Sequence, residues 1–214
     1  MNLAAIKQQA WRKLDEDPAA PVYFTADLML AAINEGLNIY SSLTLSVEKV
    51  ATLPPISDTF TNLLAAIPRL LVPLKVYRGS TRLRPSVIDE FAAIDPYWRL
   101  AAGTPDSYAM LGATLFVVNR KPSSPVSLTM TYAATAADLA SDSDIPEIPL
   151  DDHIALVHYA IWKLSAIAGG AEFVGAKEHL EKFLGIAKAR AESNRARSRQ
   201  IGLDRRPPEL KAIG

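Results

Sequence analysis

The chain has 214 residues, no cysteine, and 23 Lys+Arg against 23 Asp+Glu. That balance excludes a global field holding the protein on nucleic acid or a membrane surface, and the missing thiols exclude disulfides, thiolate nucleophiles and cysteine-ligated zinc. No uninterrupted apolar run reaches the roughly 18–20 residues of a membrane span, and the first residues, "MNLAAIKQQAWRKLDED", lack the apolar stretch of a signal peptide.

Leu3, Ile6, Ala10 and Leu14 recur at helical spacing and predict a short amphipathic helix. "DEDPAAP" stops it, because Pro18 and Pro21 disfavour continuation. Thr25 is placed to cap a second helix, Asp27 suits its first turn, and Phe24 and Met29 are spaced as a hydrophobic staple. This helix carries Leu30, Ile33, Leu37 and Tyr40 on one face. From Ser41 the alternation in "SLTLSVEKVATL" predicts one or two strands, broken at Pro54 and Pro55. "FTNLLAAIPRLLVPLKVY" stays open between short helix and strand, except that "LVPLKVYRG" reads as a strand entering a turn at Gly79. "SVIDEFAAIDPYW" predicts a short helix ending before Pro96. "SYAMLGATLFVVNRKPSSPVSLTMTYAA" predicts two strands around a turn at Lys121 to Pro125. Helix returns with a stripe of Ile154, Val157, Ile161, Leu164 and Ala168, ended by Gly169-Gly170. The next helix uses Phe173, Ala176, Leu180, Phe183, Leu184, Ala187 and Ala191. From Ser193 the apolar face is gone, and "SNRARSRQIGLDRRPPELKAIG" reads as an extended tail.

The chain is therefore expected to be α+β: a helical bundle of about four helices, with a β-rich insertion between helices two and three and an extended C-terminal arm. The expected parts are 1–42 and 150–194 for the helical part, 43–149 for the insertion and 195–214 for the arm.

Between Asp142 and Leu164, five acids (Asp142, Asp144, Glu147, Asp151 and Asp152) stand beside His153 and His158. A metal-dependent hydrolase would use such a cluster. The two histidines are five positions apart, so on a regular helix they point roughly 140° from one another and cannot chelate one ion. The acids lack the glycine and terminal glutamate of a calcium loop. The structural reading is that Asp151 or Asp152 caps the helix, that His158 packs beside Ile154, Ile161 and Trp162, and that His179 has no role. Neither a nucleophile elbow, a phosphate loop nor a dinucleotide fingerprint occurs. The expectation is no catalytic residue, no metal and no cofactor.

Two basic stretches remain. Arg190, Arg195, Arg197, Arg199, Arg205 and Arg206 crowd the C-terminal end. They could contact nucleic-acid phosphates, although no aromatic residue interleaves them and Glu192, Asp204 and Glu209 dilute the charge. They could instead form an arm that docks on a protein through Leu203, Pro207, Pro208 and Leu210, or merely keep the chain soluble. "RGSTRLRP" places Arg78, Arg82 and Arg84 at a turn, a candidate ring-interface or channel loop or an ordinary surface loop.

In order, "YFTADLMLAAINEGLNIYSSLT", "VATLPP", "LLVPLKVYRGSTRLRP", "DPYWRLAAGTPDSYAMLGATLFVVNRKPSSPVSLTMTYAA" and "SDSDIPEIPLDDHIALVHYAIWKL" resemble segments of the head-to-tail adaptor (connector) proteins of tailed bacteriophages and prophages. The resemblance covers about Val22 to Leu210. It implies a structural virion protein rather than an enzyme: a homo-oligomeric, dodecameric ring at the neck between portal protein and tail or stopper protein, assembled in the bacterial cytoplasm. DNA would pass through its channel without sequence-specific binding, and no membrane is involved. The residues for portal or neighbour-subunit docking would be Arg195, Arg197, Arg199, Leu203, Arg205, Arg206, Pro207, Pro208 and Leu210. A tail-completion or stopper protein one ring further out, and a nucleic-acid-binding protein using the basic tail, are the competing readings.

Overall fold

The computed structural model describes residues 1–168 and 171–200. The fold is mixed α+β. Five α-helices occur among these residues: α1 (Leu3–Lys13), α2 (Ala26–Thr44), α3 (Ile88–Ile94), α4 (His153–Ala168) and α5 (Ala171–Gln200). The chain divides into two compact units, one of Met1–Val47 with Thr135–Gln200, the other of Glu48–Ala134.

In the first unit α1 starts at Asn2, whose side chain accepts the Ala5 amide, the usual satisfaction of a free helix-end donor. Leu3, Ile6 and Ala10 are wholly buried as the spacing predicts, and Trp11 nearly so. On α2 the buried face is Met29, Ile33, Leu37 and Tyr40; Leu30, expected on it, is only half-buried. The helix runs to Thr44, past the predicted change to strand, and ends where Leu45 turns left-handed (φ 51°) and its amide bonds the Ser41 carbonyl. α4 packs against α1, α2 and α5. Its predicted single stripe is therefore too narrow: Ala155, Leu156, Tyr159 and Ala160 are buried along with Val157, Ile161 and Leu164, while Ala168 is exposed. A helix with neighbours on several sides becomes apolar nearly all round.

On α5 the buried positions are Ala176, Phe183, Ala187 and Asn194; Leu180 is half-buried and Leu184 is 46% exposed. The helix also continues through Gln200, so the expected extended arm from residue 195 is corrected: Arg195 and Arg197 are helical. Side-chain polar contacts replace the missing apolar face, since Asn194 Nδ2 donates to the Thr44 carbonyl at 3.0 Å. The predicted end at Gly169-Gly170, the Phe173 side chain and everything after Gln200 lie outside the described residues.

The second unit holds two four-stranded sheets. One has the order β1 (Glu48–Thr52), β10 (Thr129–Ala134), β3 (Leu70–Arg78), β4 (Thr81–Arg82), all antiparallel. The other has the order β2 (Phe60–Asn62), β8 (Leu115–Val118), β7 (Ser107–Leu111), β5 (Arg84–Pro85). A small parallel pair joins β6 (Ala102–Gly103) to β9 (Lys121–Pro122). The open segment after Phe60 thus begins with a short strand, and β3 is the strand expected before the Gly79 turn (φ 57°). In β3 the register slips between Lys75 and Pro73, opposite Thr131 and Tyr132, because proline has no N–H for the ladder.

The predicted hairpin about Lys121–Pro125 is corrected. The tight turn lies at Gly112 (φ 65°), between β7 and β8, where only a residue without Cβ takes the left-handed conformation cheaply. The Lys121–Pro125 stretch instead carries the chain from β8 towards β10 in the other sheet. Phe91, Trp98, Ala109 and Val117 form a buried cluster in this unit, with Ile88 and Leu115 against it.

Gly36 sets the approach of α2 and α4. A Cβ there would stand 2.7 Å from Tyr159 Cδ1 and 2.9 Å from Cγ, and the Tyr159 ring is held, its hydroxyl donating to Glu35 at 2.8 Å. Gly36→Ala is expected to destabilise by about 1–2 kcal/mol, because the overpacking cost exceeds the gain of about 1 kcal/mol in helix propensity. A urea unfolding curve checks this; unchanged or increased stability would mean that Tyr159 yields freely.

Candidate functional site

Asp142, Asp144, Glu147 and Asp152 each have a structural task. The Asp142 and Asp144 carbonyls accept the Ala4 and Leu3 amides at 3.0 and 2.8 Å. The stretch therefore supplies acceptors to the start of α1, which is remote in sequence, rather than only to the helix that follows it. Asp142 Oδ1 also takes the Lys7 ammonium at 2.8 Å. Asp144 Oδ2 accepts the Ala140 and Ser141 amides, which hold its carboxyl below the usual range. Glu147 accepts the Ala137 amide. Asp151 is exposed. Asp152 is not the expected cap: its side chain is buried and receives Arg190 Nε at 2.6 Å. The buried Tyr40 hydroxyl lies near this pair; burial first, then the Asp152 carboxylate, pushes its pKa up, and Arg190 opposes them.

The two histidines are separated as the spacing requires. His153 is buried, with Nδ1 2.9 Å from the Met1 amino nitrogen and carbonyl oxygen and Nε2 3.1 Å from the Ile148 carbonyl. His158 faces α5, its Nδ1 2.9 Å from His179 Nδ1, so the residue set aside in the sequence is its partner. The ring centroids are 5.1 Å apart. The excess over the nitrogen separation is about the width of one ring, so the two nitrogens lie on the line between the rings. That is the geometry of a shared N–H···N bond rather than of two lone pairs converging on an ion. No local signal could have shown the pairing, because it joins two helices.

Burial lowers the His158 pKa to about 4, assisted by Lys13, His179 and Lys182 and opposed by Glu178; His179 is lowered for the same leading reason. Both rings are thus neutral in the folded protein at pH 7, whereas the unfolded chain takes up protons from about pH 6.5. Stability is expected to be full above pH 6.5 and to fall as the pH drops towards 4. Denaturant midpoints at pH 7 and 5 check this: His158→Gln should flatten the difference, and an equal slope in both proteins would remove the pair as its cause.

The basic residues divide. Arg78 is half-buried, its Nη1 donating weakly to the Pro105 carbonyl at 3.4 Å, while Arg82 on β4 and Arg84 on β5 are exposed. Arg195 and Arg197 are exposed on α5, and Arg197 Nη2 donates to Asn194 at 3.3 Å. The Arg199 side chain and Leu203, Arg205, Arg206, Pro207, Pro208 and Leu210 lie outside the described residues.

A further feature escaped the sequence reading. Between α1 and α2, Glu16 is buried and its carboxylate accepts the Val22 and Tyr23 amides at 2.8 Å and the Phe24 amide at 3.3 Å. Trp11 Nε1 donates to the Phe24 carbonyl at 2.8 Å. The loop so fastened leaves Val22 and Tyr23 76% and 81% exposed.

Comparison with curated proteins gives no match. The model of the SU10 adaptor protein family matches residues 1–206, which takes in both units and the basic end as far as Arg206. The chain belongs to the SU10 adaptor protein family and is a bacteriophage structural protein, a component of the virion.

Proposed function

We propose that the protein is a head-to-tail adaptor: a ring of copies, twelve by the resemblance noted above, that joins the portal to the tail or stopper protein at the neck and leaves a channel for DNA. The single observation that supports this most is the family match across residues 1–206. In this reading the four helices of the first unit form a bundle, and the chain works by association rather than by bond-making. Arg195, Arg197 and Arg199, with Leu203, Arg205, Arg206, Pro207, Pro208 and Leu210, dock on the portal or a neighbouring subunit through bidentate arginine–carboxylate contacts and apolar anchors. Arg82 and Arg84, with Arg78 behind them, present positive charge to a ring interface or to passing DNA.

The test is to mix the purified chain with its cognate portal and image the product by electron microscopy. Removing Ile201–Gly214 is expected to leave the melting temperature of the isolated chain within about 1–2 °C, as for changes outside a core, and to weaken co-sedimentation with portals. Full occupancy by the shortened chain would refute the docking role of that segment. A ring that decorates the far side of a preformed portal–adaptor complex, and not the portal itself, would place the protein one ring further out.

A further inference from the structure

We propose that the loop between α1 and α2 is the seat for the C-terminal segment of a neighbouring copy, with Val22 and Tyr23 packing against its prolines and leucines. This rests on the assembly reading above and names the surface and its occupant.

The loop is built for contact. Its shape is set before any partner arrives, by the Glu16 carboxylate on three consecutive amides and by the Trp11 indole on the Phe24 carbonyl. Ordering cost is thereby reduced at association. Tyrosine is a favoured interface anchor, rigid and able to lay a ring on proline. Along the loop itself the charge is acidic, with Arg12 and Lys13 preceding it at the end of α1. Every charged residue from Leu14 to Asp27 is acidic, and Asp15, Asp17 and Asp27 are exposed. The segment "IGLDRRPPELK", residues 201–211, has a net charge of +1, Arg205, Arg206 and Lys211 against Asp204 and Glu209, and sets these among Ile201, Leu203, Pro207, Pro208 and Leu210.

A chain cannot seat its own segment. Asn194 of α5 bonds Thr44 at the far end of α2, whereas His179, earlier on α5, feels the charge of Lys13 beside the loop. α5 therefore leaves the unit at the end opposite the loop. The 19 residues of α2 separate the two ends, about 28 Å at 1.5 Å per residue. Gln200 lies six residues of helix, about 9 Å, beyond Asn194, which makes about 37 Å to the loop, whereas a fully extended path from Gln200 carries Pro207 and Pro208 only about 23–29 Å and Leu210 about 33–36 Å. The contact must be made with another copy. A loop at one end and a tail at the other make that contact head-to-tail, and a head-to-tail contact repeated by rotation closes a ring.

The chain has no cysteine, so engineered pairs report without background. Copies carrying Val22→Cys are mixed with copies carrying Pro207→Cys and oxidised, both alone at high concentration and bound to portals. The expected product is a disulfide-linked dimer, reduced several-fold by adding Tyr23→Ser or by charge reversal at Asp15 and Asp17. With both cysteines in one chain the expected product is a ladder of oligomers. The proposal is overturned if cross-linking in both settings is no greater than for Leu100→Cys, an equally exposed control in the other unit, or if the doubly substituted chain closes on itself as a monomer. Portal decoration without these cross-links would keep the adaptor reading and remove this contact; cross-links without portal decoration would do the reverse.

Discussion

Arg190→Ala is expected to cost about 3 kcal/mol of folding stability, the low end of the range for breaking a buried ion pair from one side. The Asp152 side chain is 8% exposed and Arg190 27%, and Nε and Oδ2 are 2.6 Å apart. Removing the guanidinium leaves a carboxylate that solvent barely reaches, with the weaker Tyr40 hydroxyl as a nearby donor. The low end applies because Arg190 keeps some water. Asp152→Ala removes the buried charge itself and leaves the more exposed partner behind, so its cost should be smaller. If equilibrium unfolding gives Asp152→Ala the larger loss, Asp152 has a second structural role. If both losses are below about 0.5 kcal/mol, the pair behaves as a surface contact.

Phe183→Ala should cost as much or more, about 3–5 kcal/mol, the range for emptying an aromatic site in a core. Phe183 is 1% exposed, and its ring meets Tyr40 at 6.1 Å and Tyr159 at 5.0 Å between centroids, both at steep angles. It therefore ties α5 to α2 and α4 at once. The neighbouring Leu184→Ala, at a position 46% exposed, should change stability by no more than about 0.5 kcal/mol. Equal losses at the two positions would show that α5 is seated with a different face inward.

That comparison also shows where sequence periodicity stops. Helix existence and order were readable, because apolar residues at three- and four-residue spacing mark α1, α2, α4 and α5 without any tertiary knowledge. The seating of α5 was not. Leu180, Phe183 and Leu184 share one broad stripe, and which of them is buried depends on where α2 and α4 lie. The end of α5 was misjudged for the same reason: Asn194 looks like the start of a polar tail until Thr44, far away in sequence, is seen to accept its amide. In the β unit the bulk of β-forming residues was legible, but the pairing was not, since β7 turns on Gly112 while β10 joins the other sheet. Among the candidate sites, the five-residue spacing of His153 and His158 correctly separated them, yet nothing local pointed to His179. The Glu16 loop was invisible because a glutamate six to eight residues before three amides carries no pattern until the chain folds back.

The register of β1 against β10 reaches beyond its own sheet. Glu48 pairs with Ala133, so the chain leaves the helical unit and returns to it on adjacent strands. Every residue from Glu48 to Ala134 is then, to the helices, a closed loop. Were that loop slack, bringing its ends together would cost the helical unit about 4 kcal/mol of chain entropy, comparable to losing one of its large core side chains. Sheet formation discharges this cost in advance. The two units are thereby thermodynamically linked through covalent connectivity, and a substitution that melts only the β-sheet should lower the unfolding temperature of the helical unit as well.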